Sequence, residues 1–126
     1  MKMLIAVAFG GAVGAVGRYL VYILMGSLVG SQIPSGTLAV NIVGSFVMGL
    51  LVPWLATDGS VPPEIRGLLT VGLLGAFTTF STFAMDTFVL IERGAMVLAV
   101  VYVLLSVFLS ITAFAGGFFM MRSFLA

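Results

Sequence analysis

The sequence predicts an all-α membrane protein: four transmembrane helices, the third broken near its centre, paired as an antiparallel, dual-topology homodimer. Three observations carry the helical part of that prediction. Apolar residues make up 62% of the chain and charged residues 7%, far from the roughly 45–50% and about 25% of soluble domains. Four windows reach the ~20 mostly apolar residues that a membrane span requires: Leu4 to Met25, Thr37 to Leu55, Gly67 to Ile91 and Ala95 to Met121. Between them lie short polar stretches rich in Gly, Pro, Ser and Asp, which punctuate helices. Residues 1–126 therefore read as a single four-helix transmembrane domain.

Composition also excludes function classes. A net charge of +1, with five scattered cationic residues, offers no basic patch, so no nucleic-acid partner is expected. Cysteine and histidine are both absent, which removes disulfides, thiol nucleophiles, thiolate metal sites and the imidazole base together. The first apolar run follows a single Lys, as a secretory signal would. It is too long for one and has no small-residue cleavage site, so a retained helix is expected.

The first span carries Gly10, Gly11, Gly14 and Gly17. Gly10 and Gly14 form a small-xxx-small pair that lets another backbone come close. Arg18 lies inside the same apolar window, where a lone cation at mid-helix costs at least about 2.5–3.5 kcal/mol. Because Arg18 sits toward one end, snorkelling to the interface and a functional role both stay open.

In the second span Asn41 follows Thr37 by four residues, on one face, with Gly44, Ser45 and Gly49 behind it. An amide in lipid needs a partner or a wet cavity. Interhelical glue and pore lining are both open for Asn41. Pro53 is expected to kink or end this helix, and Trp54 suits the interface.

The third and fourth spans are joined by Glu92-Arg93-Gly94, a turn so short that the two helices are expected to be antiparallel neighbours. Tyr102, Ser106 and Ser110 then recur at i+4 steps along the fourth span. They read either as a shared polar wall or as hydroxyls bonded back to their own helix. Asp86 lies three residues beyond Phe83 and can face the same polar region.

Orientation signals are weak. Lys2, Arg66 and Arg122 put 3 cations on one side, against Arg93, with or without Arg18, on the other. A chain with so small a bias can insert both ways, and two opposed copies would make an antiparallel pair. Four short helices with several Gly and Ser faces scarcely enclose a polar path alone, which also points to a homo-oligomer.

The most unusual stretch is Gly75-Ala76-Phe77-Thr78-Thr79-Phe80-Ser81-Thr82-Phe83, with three Thr, one Ser and three Phe in the middle of the third span. A helix through Gly72, Gly75, Thr78 and Thr79 is intrinsically weak at its centre. A break there frees backbone carbonyls, hard oxygen ligands suited to an alkali cation. Phe80 and Phe83 stand at i and i+3 along one face. Aromatic edges are positive, so rings held edge-on can stabilise a small anion, and nearby hydroxyls can donate hydrogen bonds to it. Spacing alone leaves lipid-facing or core filler as the alternative for both rings.

Together, Gly75 to Phe83 with its Thr-Thr-Phe-Ser-Thr-Phe run, Gly36-Thr37-Leu38 followed by Asn41, the glycine-rich helix ending in Gly17-Arg18, and the Glu92-Arg93-Gly94 turn resemble the Fluc (CrcB-like) fluoride channels along the whole chain. The resemblance implies a multi-pass cell-membrane protein. Two copies in inverted orientation would export cytoplasmic fluoride passively through two pores, without enzymatic chemistry. It implies Phe80 and Phe83 as the pore phenylalanines, Asn41 as a pore polar residue, and Ser106 and Ser110 as a polar track. Gly75 and Thr78 would give backbone carbonyls from each copy to a central structural Na+. Thr79, Ser81 and Tyr102 fall in or beside the same motif positions, and Arg18 resembles the family's helix-one arginine near the vestibule mouth. Two departures are visible. Phe114 stands one step beyond Ser110 where some members carry a hydroxyl, which leaves Thr112 open, and Ala76-Phe77 replaces a more usual Gly-Leu-like pair.

Two rival functions differ in class. A small four-helix multidrug exporter needs a membrane-embedded carboxylate in its first helix to exchange protons for a cationic drug. The first span here has none. A non-transporting structural membrane subunit explains the glycine faces but leaves the Thr-Thr-Phe-Ser-Thr-Phe run without a purpose.

Overall fold

The computed structural model describes residues 1–126 as helices joined by short turns. Helix α1 covers Lys2–Val29, α2 covers Ser35–Thr57, and α6 covers Met96–Leu125. Between α2 and α6 a third span, Pro63–Glu92, is assembled from pieces. These are α3 (Pro63–Gly67), a π-helical stretch (Leu68–Leu74), α4 (Gly75–Phe77) and α5 (Phe80–Glu92). All four spans are long and apolar enough to cross a membrane. Each is longer than its hydropathy window, because the apolar run marks the hydrocarbon thickness while the helical backbone continues past it.

The turns follow from their residues. Gly94 adopts φ 75°. Its N–H donates to the Ile91 carbonyl (2.9 Å) and the Ala95 N–H to the Leu90 carbonyl (2.9 Å), the Schellman arrangement that only an αL residue, usually glycine, closes. Before the third span, Arg66 donates from Nη2 to the Asp58 carbonyl (2.8 Å) and from Nε to the Val61 carbonyl (3.2 Å), pinning the loop to α3. The Ser60 hydroxyl and amide hold the Asp58 carboxyl below the usual carboxylate range.

Two crossings hold the bundle together, both built on glycine. On one side α1 meets the first half of the third span. A methyl group on Gly10 or Gly14 would run into the backbone of Leu68 or Leu73, and one on Gly72 into Val7 and Gly10. On the other side α2 meets α6: a methyl on Gly49 would strike the backbone of Phe114, and one on Gly117 that of Phe46. Such close backbone approach maximises van der Waals contact where lipid supplies no hydrophobic drive. The expected use of Gly10 and Gly14 holds, and their partner is the third span.

The structure narrows two expectations. The third and fourth spans are neighbours only near their joining turn, where Leu90, Ala99 and Tyr102 form a small core. The tight turn fixes the ends beside it, while the glycine face of α6 is taken by α2. Pro53 does not end α2, which continues to Thr57 with the Thr57 hydroxyl donating to the Pro53 carbonyl at 3.0 Å. Proline removes one helical N–H, the partner of the carbonyl four residues earlier at Gly49.

The third span changes character at its centre. The Gly75 N–H reaches back five residues to Thr70 as well as to Gly72, closing the π-helical stretch. Thr78 (φ −85°, ψ 160°) and Thr79 (φ −156°, ψ 121°) are then extended. Helix α5 restarts at Phe80, capped by the Thr79 hydroxyl, which accepts from the Thr82 N–H at 3.2 Å.

Candidate functional site

Extended residues lose their helical hydrogen bonds, and buried backbone groups must find partners elsewhere. Thr79 is 7% exposed, and Asn41 satisfies both of its main-chain groups. The Asn41 amide nitrogen donates to the Thr79 carbonyl (2.9 Å), and the Thr79 N–H donates to Asn41 Oδ1 (2.8 Å). Asn41 thus ties α2 to the third span at the point where the helix is interrupted. The carbonyls of Gly75 and Thr78 accept no hydrogen bond within the chain.

Beside this junction lies a groove of about 400 Å³ between α2, α5 and α6. Asn41, Thr79, Phe80, Phe83, Ser106 and Ser110 all line it, and no charged side chain does. The Phe80 and Phe83 rings are tilted at 48° with centroids 5.4 Å apart. Behind them Tyr102 packs on Phe83 at 5.5 Å. The hydroxyls of Ser106 and Ser110 are buried and have no partner. This separates them from Thr70, Thr78 and Thr87, whose hydroxyls bond back to the carbonyl four residues earlier. Both serines line the groove, and their two unspent donors are the groups that a ligand there would draw on.

A second cavity, of about 360 Å³, opens at the end of the bundle where α1 finishes and α2 begins. Asp86 forms part of its wall. Thr37 donates to Asp86 Oδ2 (2.6 Å), Tyr102 donates to the same oxygen (3.3 Å), and the Tyr22 hydroxyl stands 3.5 Å from Thr37 Oγ1. The two cavities share a hydroxyl link: Thr79 lines the groove, Thr82 lines the second cavity, and Thr79 Oγ1 donates to Thr82 Oγ1 at 3.1 Å.

Six of the residues singled out from sequence therefore converge on one groove. Tyr102 is buried behind it and faces Asp86. Ser81 is exposed, within 3.2 Å of the Thr79 hydroxyl, and does not line the groove. Arg18 is half-buried on α1 and lines neither cavity. Phe114 is part of the groove lining, while Thr112 lines a separate apolar cleft. Tyr22 was missed by sequence reasoning, since a lone Tyr near a helix end carries no signal. The link from Thr37 to Asp86 spans 49 residues. The i, i+4 pairing of Thr37 with Asn41 was its one visible trace.

Comparison with known proteins bears on this geometry directly. Residues 5–118 match the family described as CrcB-like protein, Camphor Resistance (CrcB). The chain belongs to the CrcB family. Among CrcB relatives, the fluoride-specific ion channel FluC of Chelativorans sp. (strain BNC1) is 52% identical over 125 residues, covering 99% of this chain and 100% of the relative. The FluC of Rhodospirillum centenum is 44% identical over 126 residues and covers both chains fully. That of Agrobacterium fabrum is 50% identical over 111 residues, covering 88% of this chain and 89% of its own.

Proposed function

We propose that this CrcB protein is a fluoride-selective passive channel of the cell membrane. The observation that carries the reading is the uncharged groove lined by Phe80 and Phe83 and by Ser106 and Ser110, whose hydroxyls have no partner. Fluoride is small and strongly hydrated, so a path must replace its water with donors. It must also avoid a fixed cation that would hold the ion too tightly for conduction. Hydroxyl donors and positive ring edges meet both needs. The relatives carrying the name fluoride-specific ion channel support the choice of anion. Fluoride enters acidified cells as neutral HF and is trapped on dissociation; a pore releases it down its gradient with no enzymatic step.

In this reading the working unit is an antiparallel homodimer with two pores. Phe80 is 79% exposed, and the Gly75 and Thr78 carbonyls lie unpartnered in the middle of a membrane span. Both features suit a surface that a second, inverted copy covers. Two carbonyls from each copy make a set of hard oxygen donors that fits Na+. When bound, the cation would hold the two interrupted spans together. Asn41 positions the Thr79 backbone, Thr79 and Ser81 add hydroxyls near the path, and Tyr102 backs Phe83. Arg18 belongs to the approach to the pore only through the partner copy, since its own chain keeps it away from both cavities. The exporter reading is disfavoured by Asp86, whose Oδ2 is engaged by Thr37 and Tyr102.

The test is efflux from liposomes containing only this protein, followed with fluoride- and chloride-sensitive electrodes. Rapid fluoride loss with chloride retained is expected. A folded, reconstituted protein that passes neither anion would return the chain to the structural-subunit reading.

A further inference from the structure

The second cavity holds features that the groove does not use. Helix α2 begins at Ser35 with Pro34 at its N-cap and no capping side chain. The N–H groups of Gly36 and Thr37 find no acceptor within the chain. A 23-residue helix concentrates partial positive charge at this end. Ser35, Gly36 and Thr37 all line the cavity. Ser35 is 8% exposed, yet its hydroxyl makes no hydrogen bond, although Thr37 two residues on is fully engaged. Arg93, the only cationic residue of this cavity, lines it as well.

We infer that the first turn of α2, with the Ser35 hydroxyl and Arg93, is a halide-binding mouth that uses main-chain amides rather than the side chains of the Thr37–Asp86–Tyr102 cluster. The inference rests on the channel reading for its purpose: the mouth would concentrate anions before they reach the narrow, uncharged part of the path. Its chemistry differs from that of the groove. Here a dipole end and an open guanidinium supply attraction, so the mouth collects small anions without choosing among them. Asp86 lines the same cavity and opposes this. Its carboxylate is already engaged through Oδ2 by two hydroxyl donors, and it takes no bond from the Gly36 or Thr37 amides. Those amides are therefore free for a ligand.

Bromide, visible by anomalous scattering, is the probe for crystals of the full-length protein. A peak against Ser35 and the Gly36–Thr37 amides is expected. In liposomes, Ser35→Ala and Arg93→Gln should each raise the fluoride concentration for half-maximal flux by roughly three-fold or more. Arg93→Lys should restore it, and Arg122→Gln, outside the cavity, should leave it unmoved. No bromide at this turn, or an unchanged half-maximal concentration in both variants, overturns the mouth while leaving the channel intact. A wild-type protein that passes no fluoride overturns the channel, and the bromide peak then decides the mouth alone.

Discussion

The two halves of the third span are built on opposite principles. From Pro63 to Phe77 the backbone itself is the contact surface, pressed onto α1 through Gly10, Gly14 and Gly72. From Phe80 to Glu92 the side chains are the product: rings, hydroxyls and one carboxylate presented to two cavities, with Phe80 almost wholly exposed. The first half lines neither cavity, and its glycine crossing leaves no space for an added methyl. The second is lightly packed within its own chain, touching α6 mainly through Leu90, Ala99 and Tyr102. Anchoring and presentation are thus divided between two pieces of one span, with Thr78 and Thr79 as the joint.

The contrast can be broken most severely at the anchor. Gly14→Leu puts a side chain into the Leu73 backbone and is expected to cost roughly 3 kcal/mol or more, with no folded fraction on gel filtration. Retention of a native profile would show that the crossing is loose. At the joint, Asn41→Ala strips both main-chain groups of Thr79 of their partner. About 1–3 kcal/mol of lost stability is expected, read as a lowered midpoint in thermal unfolding in detergent.

On the presenting half the outcomes should separate function from folding. Phe80→Ile and Phe83→Ile are expected to lower fluoride flux by about ten-fold, equivalent to about 1.4 kcal/mol of barrier, with unfolding midpoints near wild type. Wild-type flux in both would make the rings filler. The smallest stability effects belong to Ser106→Ala and Ser110→Ala. Each removes a buried hydroxyl that has no partner, so stability should be unchanged or rise by up to about 1 kcal/mol, while flux falls. A loss of stability would mean that these hydroxyls are engaged in the folded protein, contrary to the groove described.

Hydropathy made the four spans and their turns legible, since lipid demands long apolar runs whatever the neighbours. The Gly10–Gly14 pair was legible for the same local reason. The convergence of Asn41, Phe80, Phe83, Ser106 and Ser110 needed the resemblance as well, because periodicity gives each helix its faces but not which faces meet. The α2–α6 crossing through Gly49 and Gly117, the Tyr22 hydroxyl, and the link from Thr37 to Asp86 were beyond reach. Each depends on two residues far apart in the chain, and a single sequence carries no mark of such a pair. The Leu68–Leu74 stretch was hidden differently: Gly72 marks a weak place in the helix, but nothing in the residues specifies five-residue hydrogen bonding.

That stretch also sets rotational phase. In an α-helix each residue advances the side-chain direction by about 100°, and a π-helical segment accommodates residues that an α-helical ladder would carry further round. The heading of α5 depends on those seven residues together with the extended Thr78–Thr79 pair. A chain shortened by one residue between Leu68 and Leu74 could keep its hydropathy and its four spans, yet it would turn Phe80 and Phe83 away from Ser106 and Ser110. The groove's alignment is thus stored a full turn upstream of any residue that lines it, in the winding of a segment packed mainly on α1 and its own span.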